Sequence, residues 1–197
     1  MKKGNVKEKL MNSAFESFLV KGYTATRVDE VCKNAGVSKG SFFHYFKSKE
    51  ELAIAVLEDY YTKATAKFAG GDYIKEIDPI ERAYRFVDFA DAAAMEFWGK
   101  GCLFGNFVTD LKVAGTEIEK RVENVFRTLV KSFSLVMEPI ANLDKTGEGP
   151  SAVELSEQFL MAVEGAIVLG RAYDEPEKVR QGIKAFRNYL DLIVKRN

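Results

Sequence analysis

Between positions 39 and 49 the chain gathers a cation, a hydroxyl, an imidazole, a phenol and a flat apolar ring: Lys39, Ser41, His44, Tyr45 and Phe43, with Gly40 among them and Lys49 just beyond. These groups suit contacts to phosphate, hydrogen bonds to base edges and apolar contact with a thymine methyl. Phe42 and Phe46 are four apart, so on a helix over 39–46 they share a face and pack inward, leaving the others outward. A purely structural aromatic helix does not fit, because Phe42-Phe43-His44-Tyr45-Phe46 cannot all face one way. Gly40 carries no side chain, so this helix N-terminus can approach a base or phosphate closely. Lys49 falls in the first turn of a following helix, where its charge and the free backbone N–H groups can clamp a phosphate.

A second candidate chemistry lies at Gly101-Cys102-Leu103-Phe104-Gly105-Asn106. A thiol between glycines at a helix break is expected to be accessible. At the N-terminus of the next helix its pKa would fall and its reactivity rise, with Lys100 to help. The competing reading is a small buried thiol acting as a hydrophobe. The middle of the chain is rich in rings that line either a small-molecule pocket or an ordinary core. Phe89, Trp98, Phe107 and Phe126, with Cys102, are the candidate ligand-binding set. Asp88, Asp91 and Glu164 interrupt apolar runs; such a carboxylate points to solvent at a helix edge, binds a cationic ligand or pairs with Arg171. His44 is the sole histidine and no G-x-S-x-G motif occurs, which disfavours a hydrolase. Cys32 and Cys102 have no CxxC or Cys/His neighbourhood, so neither a metal site nor a cofactor is expected.

The elements that position these residues read as helices almost throughout. Val6, Leu10, Ala14, Phe18 and Leu19 recur at helical spacing, and Gly22 should end that helix. Thr26 caps a second helix with Asp29 at the capping-box position, and Gly36 stops it. Ser38 caps the third, and Ser48-x-x-Glu51 opens the fourth. The stretch Ala35-Gly36-Val37-Ser38 joins helices two and three as the tight turn of a helix-turn-helix. Asp78-Pro79 restarts the chain into a helix ending near Trp98. A short helix is expected near Asn106–Val113. Longer ones open at Thr116-x-x-Glu119 and Ser151-x-x-Glu154, and a last at Asp174-x-x-Glu177. The expected fold is all-α with about nine helices, divided into a head at 1–47 and a body at 48–197.

With 197 residues, 47% of them hydrophobic, the chain is long enough for a large core. Its longest uncharged run, Gly101–Thr109, is far short of the roughly 20 apolar residues of a membrane span, and no apolar segment follows the basic N-terminus as in a secretory signal. A cytoplasmic protein without a membrane partner is expected. The zero net charge hides an asymmetry. Residues 1–50 hold ten of the 29 basic and five of the 29 acidic groups, so a basic head is joined to an acidic body.

Residues 22–52, GYTATRVDEVCKNAGVSKGSFFHYFKSKEEL, resemble the N-terminal signature of the TetR family of transcriptional regulators. Gly22-Tyr23, Thr26, Ala35 through Ser41 and Phe46 through Leu52 fall in register with it. The resemblance implies a three-helix DNA-binding head, a connecting fourth helix and a helical body that binds an effector and dimerises through the last two helices. Carried over by position, Thr26, Arg27, Lys39, Gly40, Ser41, Phe43, His44, Tyr45 and Lys49 are the DNA contacts. Phe43 departs from the family, which usually has tyrosine there, so no phenol is offered to phosphate at that position. Cys32 stands where the family often has alanine and reads as packing. The Gly-Cys-Leu stretch at 101–103 is similar to that of a branch responding to electrophiles and small unsaturated acids. The implied partners are double-stranded DNA carrying a palindromic operator, a small apolar or electrophilic effector and a second copy of the chain. The implied role is that of a repressor released by its effector. An α-helical enzyme and an effector-free helical interaction module remain the alternatives.

Overall fold

A computed structural model describes residues 6–110 and 114–196. Its described residues form nine α-helices and no strand: α1 (Val6–Ala25), α2 (Val28–Ala35), α3 (Lys39–Tyr45), α4 (Lys49–Ala69), α5 (Pro79–Trp98), α6 (Leu103–Thr109), α7 (Glu117–Ala141), α8 (Ala152–Tyr173) and α9 (Lys178–Arg196). A single 3₁₀ turn, Asp72–Lys75, precedes α5. No helix among these residues is long and apolar enough to cross a membrane. Two compact units emerge. The first holds the chain up to Ala64 together with Cys102–Asn124; the second holds Thr65–Gly101 and Val125–Asn197. The expected boundary at 47/48 falls inside the first unit, and α6 belongs with the head helices rather than with the rest of the body.

Local capping chemistry sets most helix starts. The Asp78 carboxylate accepts from the N–H groups of Ile80 (2.9 Å) and Glu81 (2.8 Å), with Pro79 at the first helical position. Ser151 and Glu154 form a reciprocal capping box at the start of α8. Such caps contribute about 1 kcal/mol each by satisfying donors that the helix leaves unpaired.

Other boundaries differ from expectation. α1 does not end at Gly22. It breaks there (φ 78°, ψ 172°) and resumes for a final turn to Ala25. The N-cap of α2 is Arg27, without a side-chain cap, because the Thr26 hydroxyl donates back to the Gly22 carbonyl at 2.7 Å. α6 starts at Leu103, three residues ahead of the expected Asn106; the expected end at Val113 lies outside the described residues. Asp174 does not open the last helix. It sits in the left-handed region (φ 56°, ψ 38°) as the C-cap of α8, and α9 begins at Lys178.

The second unit is built on stacked rings. Phe159, fully buried, lies 5.6 Å from Phe86, 5.7 Å from Phe133 and 5.3 Å from Phe186, centroid to centroid. Two carboxylates expected at a solvent edge instead bind α5 to α9. Asp91 takes a bidentate pair from Arg180 (3.1 and 2.9 Å), and Asp88 takes the Arg187 guanidinium at 2.7 Å. The close approach of α8 and α9 is at Gly182, where an added Cβ would come within 2.7 Å of the Ala162 carbonyl and the Ala166 methyl. An added Cβ on Gly165 of α8 would meet nothing within 4 Å in the protomer.

Candidate nucleic-acid interface

The first unit is organised around fully buried Leu10, Ala14, Phe18, Val31, Phe42 and Leu52. Phe42 and Phe46 point inward as their spacing predicts, at 0% and 2% exposure. Gly36 makes the turn between α2 and α3 in the left-handed region (φ 66°), its N–H closing on the Lys33 carbonyl. The Ser38 hydroxyl oxygen then caps α3 by accepting from the Ser41 N–H at 3.1 Å, and it pairs with the Ser41 hydroxyl at 2.9 Å.

This anchoring turns the remaining α3 side chains outward. The Phe43 ring is 53% exposed and rests edge-on against Phe42. His44 is exposed and stacks edge-on against half-buried Tyr45 at 4.9 Å. An added Cβ on Gly40 would meet nothing closer than the Ser38 hydroxyl at 3.7 Å, so the N-terminal turn of α3 is open. Lys39 and Arg27 are exposed, and Lys39 pairs with Asp29 at 2.8 Å. The Asp29 hydrogen bond holds the Lys39 ammonium above its ordinary pKa, so it stays charged. A pair this exposed contributes little and is readily exchanged for a phosphate. Arg27, Lys39, Gly40, Ser41, Phe43, His44 and Tyr45 are thereby brought together on α3 and the start of α2.

Two expected contacts are placed differently. Thr26 is 1% exposed, with its hydroxyl spent on the Gly22 carbonyl, so its side chain offers DNA nothing. The Lys49 ammonium points into the protein. It donates to the carbonyls of Tyr23 (2.8 Å), Thr26 (3.0 Å) and Thr24 (3.5 Å) and lies 4.1 Å from the centroid of the Tyr23 ring. Burial, with the Glu50 and Asp110 carboxylates nearby, pushes the Tyr23 phenol up. Two residues to which sequence reasoning assigned no role complete this region. The Asn106 amide donates to the Phe18 and Leu19 carbonyls (3.2 and 2.9 Å). The Asp110 carboxylate accepts from the Thr24 N–H at 2.6 Å and from the Thr24 hydroxyl. No spacing rule could have linked residues 86 apart; the only signal was a short polar-ended helix after a glycine bend.

The candidate ligand set is divided between the two units. Phe107 is 1% exposed in the first, packed on Phe18 (5.3 Å) and Tyr23 (5.6 Å). Cys102 is the N-cap of α6, its sulfur accepting from the Gly105 N–H at 3.4 Å. The helix-start position matches expectation, and of the two readings of the thiol the structure fits the buried one, since Cys102 is only 5% exposed. Leu103, Phe104 and Phe107 point α6 inward, and the thiol goes with them. Cys32 is buried too, and that burial raises its pKa. Thiol titration of the folded protein is therefore expected to show both cysteines unreactive on the timescale on which the unfolded protein reacts fully. In the second unit Phe89 and Trp98 are half-buried around Phe68, at 5.4 and 6.4 Å, and Phe126 is also half-buried. Among the described residues no group of three or more His, Cys, Asp or Glu side chains could hold a metal.

Two short helices meeting at a glycine turn, the second with its polar and ring side chains outward, define a helix-turn-helix DNA-binding protein. Residues 10–56 match the domain described as bacterial regulatory proteins, tetR family. The transcriptional regulator AcuR of Cereibacter sphaeroides is 24% identical over 184 residues, covering 93% of this chain and 84% of that protein. The HTH-type transcriptional repressor DhaR of Mycobacterium sp. (strain GP1) is 28% identical over 129 residues, 65% of this chain and 63% of its own. The crystal structure of a regulatory protein TetR from Rhodobacter sphaeroides has the same fold, with a TM-score of 0.76 at 24% identity, covering 92% of this chain and 96% of that one. Residues 10–56 thus carry a TetR-type DNA-binding domain, the chain as a whole shares the fold of that regulatory protein, and the relatives it resembles are named as transcriptional regulators rather than enzymes.

Proposed function

We propose that the protein is a dimeric repressor that reads a palindromic operator through α3 and leaves it when a small, mostly apolar molecule binds the second unit. The observation that carries the DNA-binding half is the outward presentation of Lys39, Phe43, His44 and Tyr45 on a helix anchored from beneath by Phe42 and Phe46. Arg27 and Lys39 serve as phosphate contacts, and Ser41, Phe43, His44 and Tyr45 face the bases. Phe43 offers a thymine methyl an apolar surface where a tyrosine would offer phosphate a phenol. The repressor assignment is supported by the name of the Mycobacterium relative. Selecting duplexes from a random pool with the purified protein tests the reading. Enrichment of a two-fold symmetric sequence supports it, and enrichment of none would sink it.

Support for a dimer comes from α8. Met161, Val168, Leu169 and Tyr173 are 62%, 65%, 47% and 59% exposed on one protomer, and the open side of Gly165 lies among them. An apolar stripe of that kind asks for a partner, and a two-fold pair of reading helices matches a palindrome. Met161→Asp with Val168→Asp is expected to convert the dimer to a monomer by light scattering and to abolish operator binding while the helical content is kept.

The effector reading rests on the partly exposed rings Phe89, Phe97, Trp98 and Phe126 of the second unit, an apolar lining suited to a small hydrophobic molecule. The burial of Cys102 favours such a ligand over covalent capture of an electrophile. A rise in melting temperature with apolar compounds, matched by release of the selected duplex, would support it.

A further inference from the structure

The first unit holds a cavity that the DNA-reading surface does not use. It lies between α1 and α4 and measures about 190 Å³. Met11, Phe15, Val56 and Tyr60 form its apolar wall. Val56 is buried and the other three are half-buried. The Phe15 and Tyr60 rings lie 5.4 Å apart, tilted by 40°, and Phe104 of α6 packs on Tyr60 at 5.4 Å, so the wall is fixed from within the protein. An apolar cavity of about 150 Å³ is enough to hold benzene, so this one takes a single six-membered ring with a short substituent. The two rings offer a flat guest the tilted or edge-on packing that aromatic pairs prefer, and the Met11 thioether adds a soft contact.

The rim is polar and carries one charge of each sign. Asp59 and Lys63, one helical turn apart on α4, pair at 2.5 Å, and Asn12 of α1 adds an amide. The charged side chains are exposed, so their pair contributes little and opens at small cost. Side chains four apart on a helix stand about 5–6 Å apart at Cβ. An opened pair can therefore receive an ammonium at Asp59 and a carboxylate at Lys63 side by side. A guest with a single charge would satisfy one of the two and repel the other.

We propose that this cavity binds an aromatic α-amino acid, its ring on the apolar wall, its ammonium on Asp59 and its carboxylate on Lys63. Asn12 supplies a further hydrogen bond to the carboxylate. Such a ligand joins α1 to α4 inside the unit that presents α3, independently of any effector of the second unit. By mass action it stabilises that unit once its concentration exceeds its dissociation constant.

The full-length protein, isotopically labelled at its methionine methyl groups, is titrated with phenylalanine, phenylethylammonium and phenylpropanoate and followed by NMR. The three ligands share the ring and its spacer and differ in charge. The chain has five methionines, and the Met11 methyl is assigned by its loss in Met11→Leu. A ring seated on the wall shifts the Met11 methyl through its ring current, whereas Met95 belongs to the second unit and reports on a ligand there. The Met11 methyl is expected to shift saturably, with phenylalanine binding about threefold or more tighter than either analogue, the scale of an exposed ion pair. Lys63→Gln is expected to bring phenylalanine to the level of phenylethylammonium, and Asp59→Asn to that of phenylpropanoate. Both positions are exposed, so helical content by circular dichroism should be unchanged, and the analogue series on the wild type carries the test by itself should either variant fail to fold. A Met11 methyl that does not move at about 10 mM phenylalanine overturns the site, as does movement of Met95 alone. An analogue that binds as tightly as phenylalanine, or folded variants that leave its preference intact, overturns the amino acid as the ligand. None of these outcomes bears on operator selection, which tests the regulator reading separately.

Discussion

Phe43→Ala combined with His44→Ala is expected to erase most of the preference for the selected duplex while leaving binding to scrambled DNA and the salt slope near wild type. Both side chains are exposed and contribute little to the core, so the fold should tolerate their removal. Phe42 and Phe46 beneath them stay in place. A side chain that reads a base edge contributes about 1–3 kcal/mol of discrimination, so the pair should cost about 2–6 kcal/mol if the effects add. Since the two are adjacent in sequence, the singles must be measured as well. Lys39→Ala should behave oppositely: it should weaken all duplexes alike and lower the slope by about one, because its exposed pair with Asp29 leaves it able to exchange for phosphate. A double variant that retains sequence preference would mean that α3 is not the reading helix.

Phe159→Ala is expected to cost about 3–5 kcal/mol in chemical denaturation, the range for removing a ring from a packed core. Phe159 has no exposed surface and touches rings of Phe86, Phe133 and Phe186, so its removal opens a cavity onto α5, α7 and α9 at once. Against a total stability of about 5–15 kcal/mol this is enough to unfold a marginal chain. Phe97→Ala, half-buried beside Phe68 and Trp98, should cost much less. If apolar compounds occupy the second unit, Phe97→Ala should reduce their stabilising effect more than it reduces stability without them. Equal costs for the two substitutions would show that the rings do not differ in burial as described.

The amino-acid sequence alone determined the features that depend on neighbours along the chain. The caps at Ser38, Asp78 and Ser151 were legible because each bond spans two or three residues. The inward face of α3 followed from helical spacing, and the helix-turn-helix followed from Gly36 and the register of residues 22–52. Local rules failed where one residue type serves two purposes. Asp174 has the chemistry of an N-cap, but it is equally able to adopt the left-handed region, and it closes α8 instead. Thr26 had two possible hydrogen-bond directions and took the one back to Gly22. Only the tertiary structure decided the rest. Lys49 opens α4, and only folding brings the carbonyl end of α1 against its ammonium. Cys102 was correctly placed at a helix start, but its access depended on which way α6 turned, and Leu103, Phe104 and Phe107 turned it inward. The candidate ligand residues share no unit because ring content along a sequence does not say which core a ring joins. Asp110 reaches Thr24 across 86 residues because folding, not spacing, brings α6 to the end of α1, and a contact of that kind leaves no periodic mark in the chain.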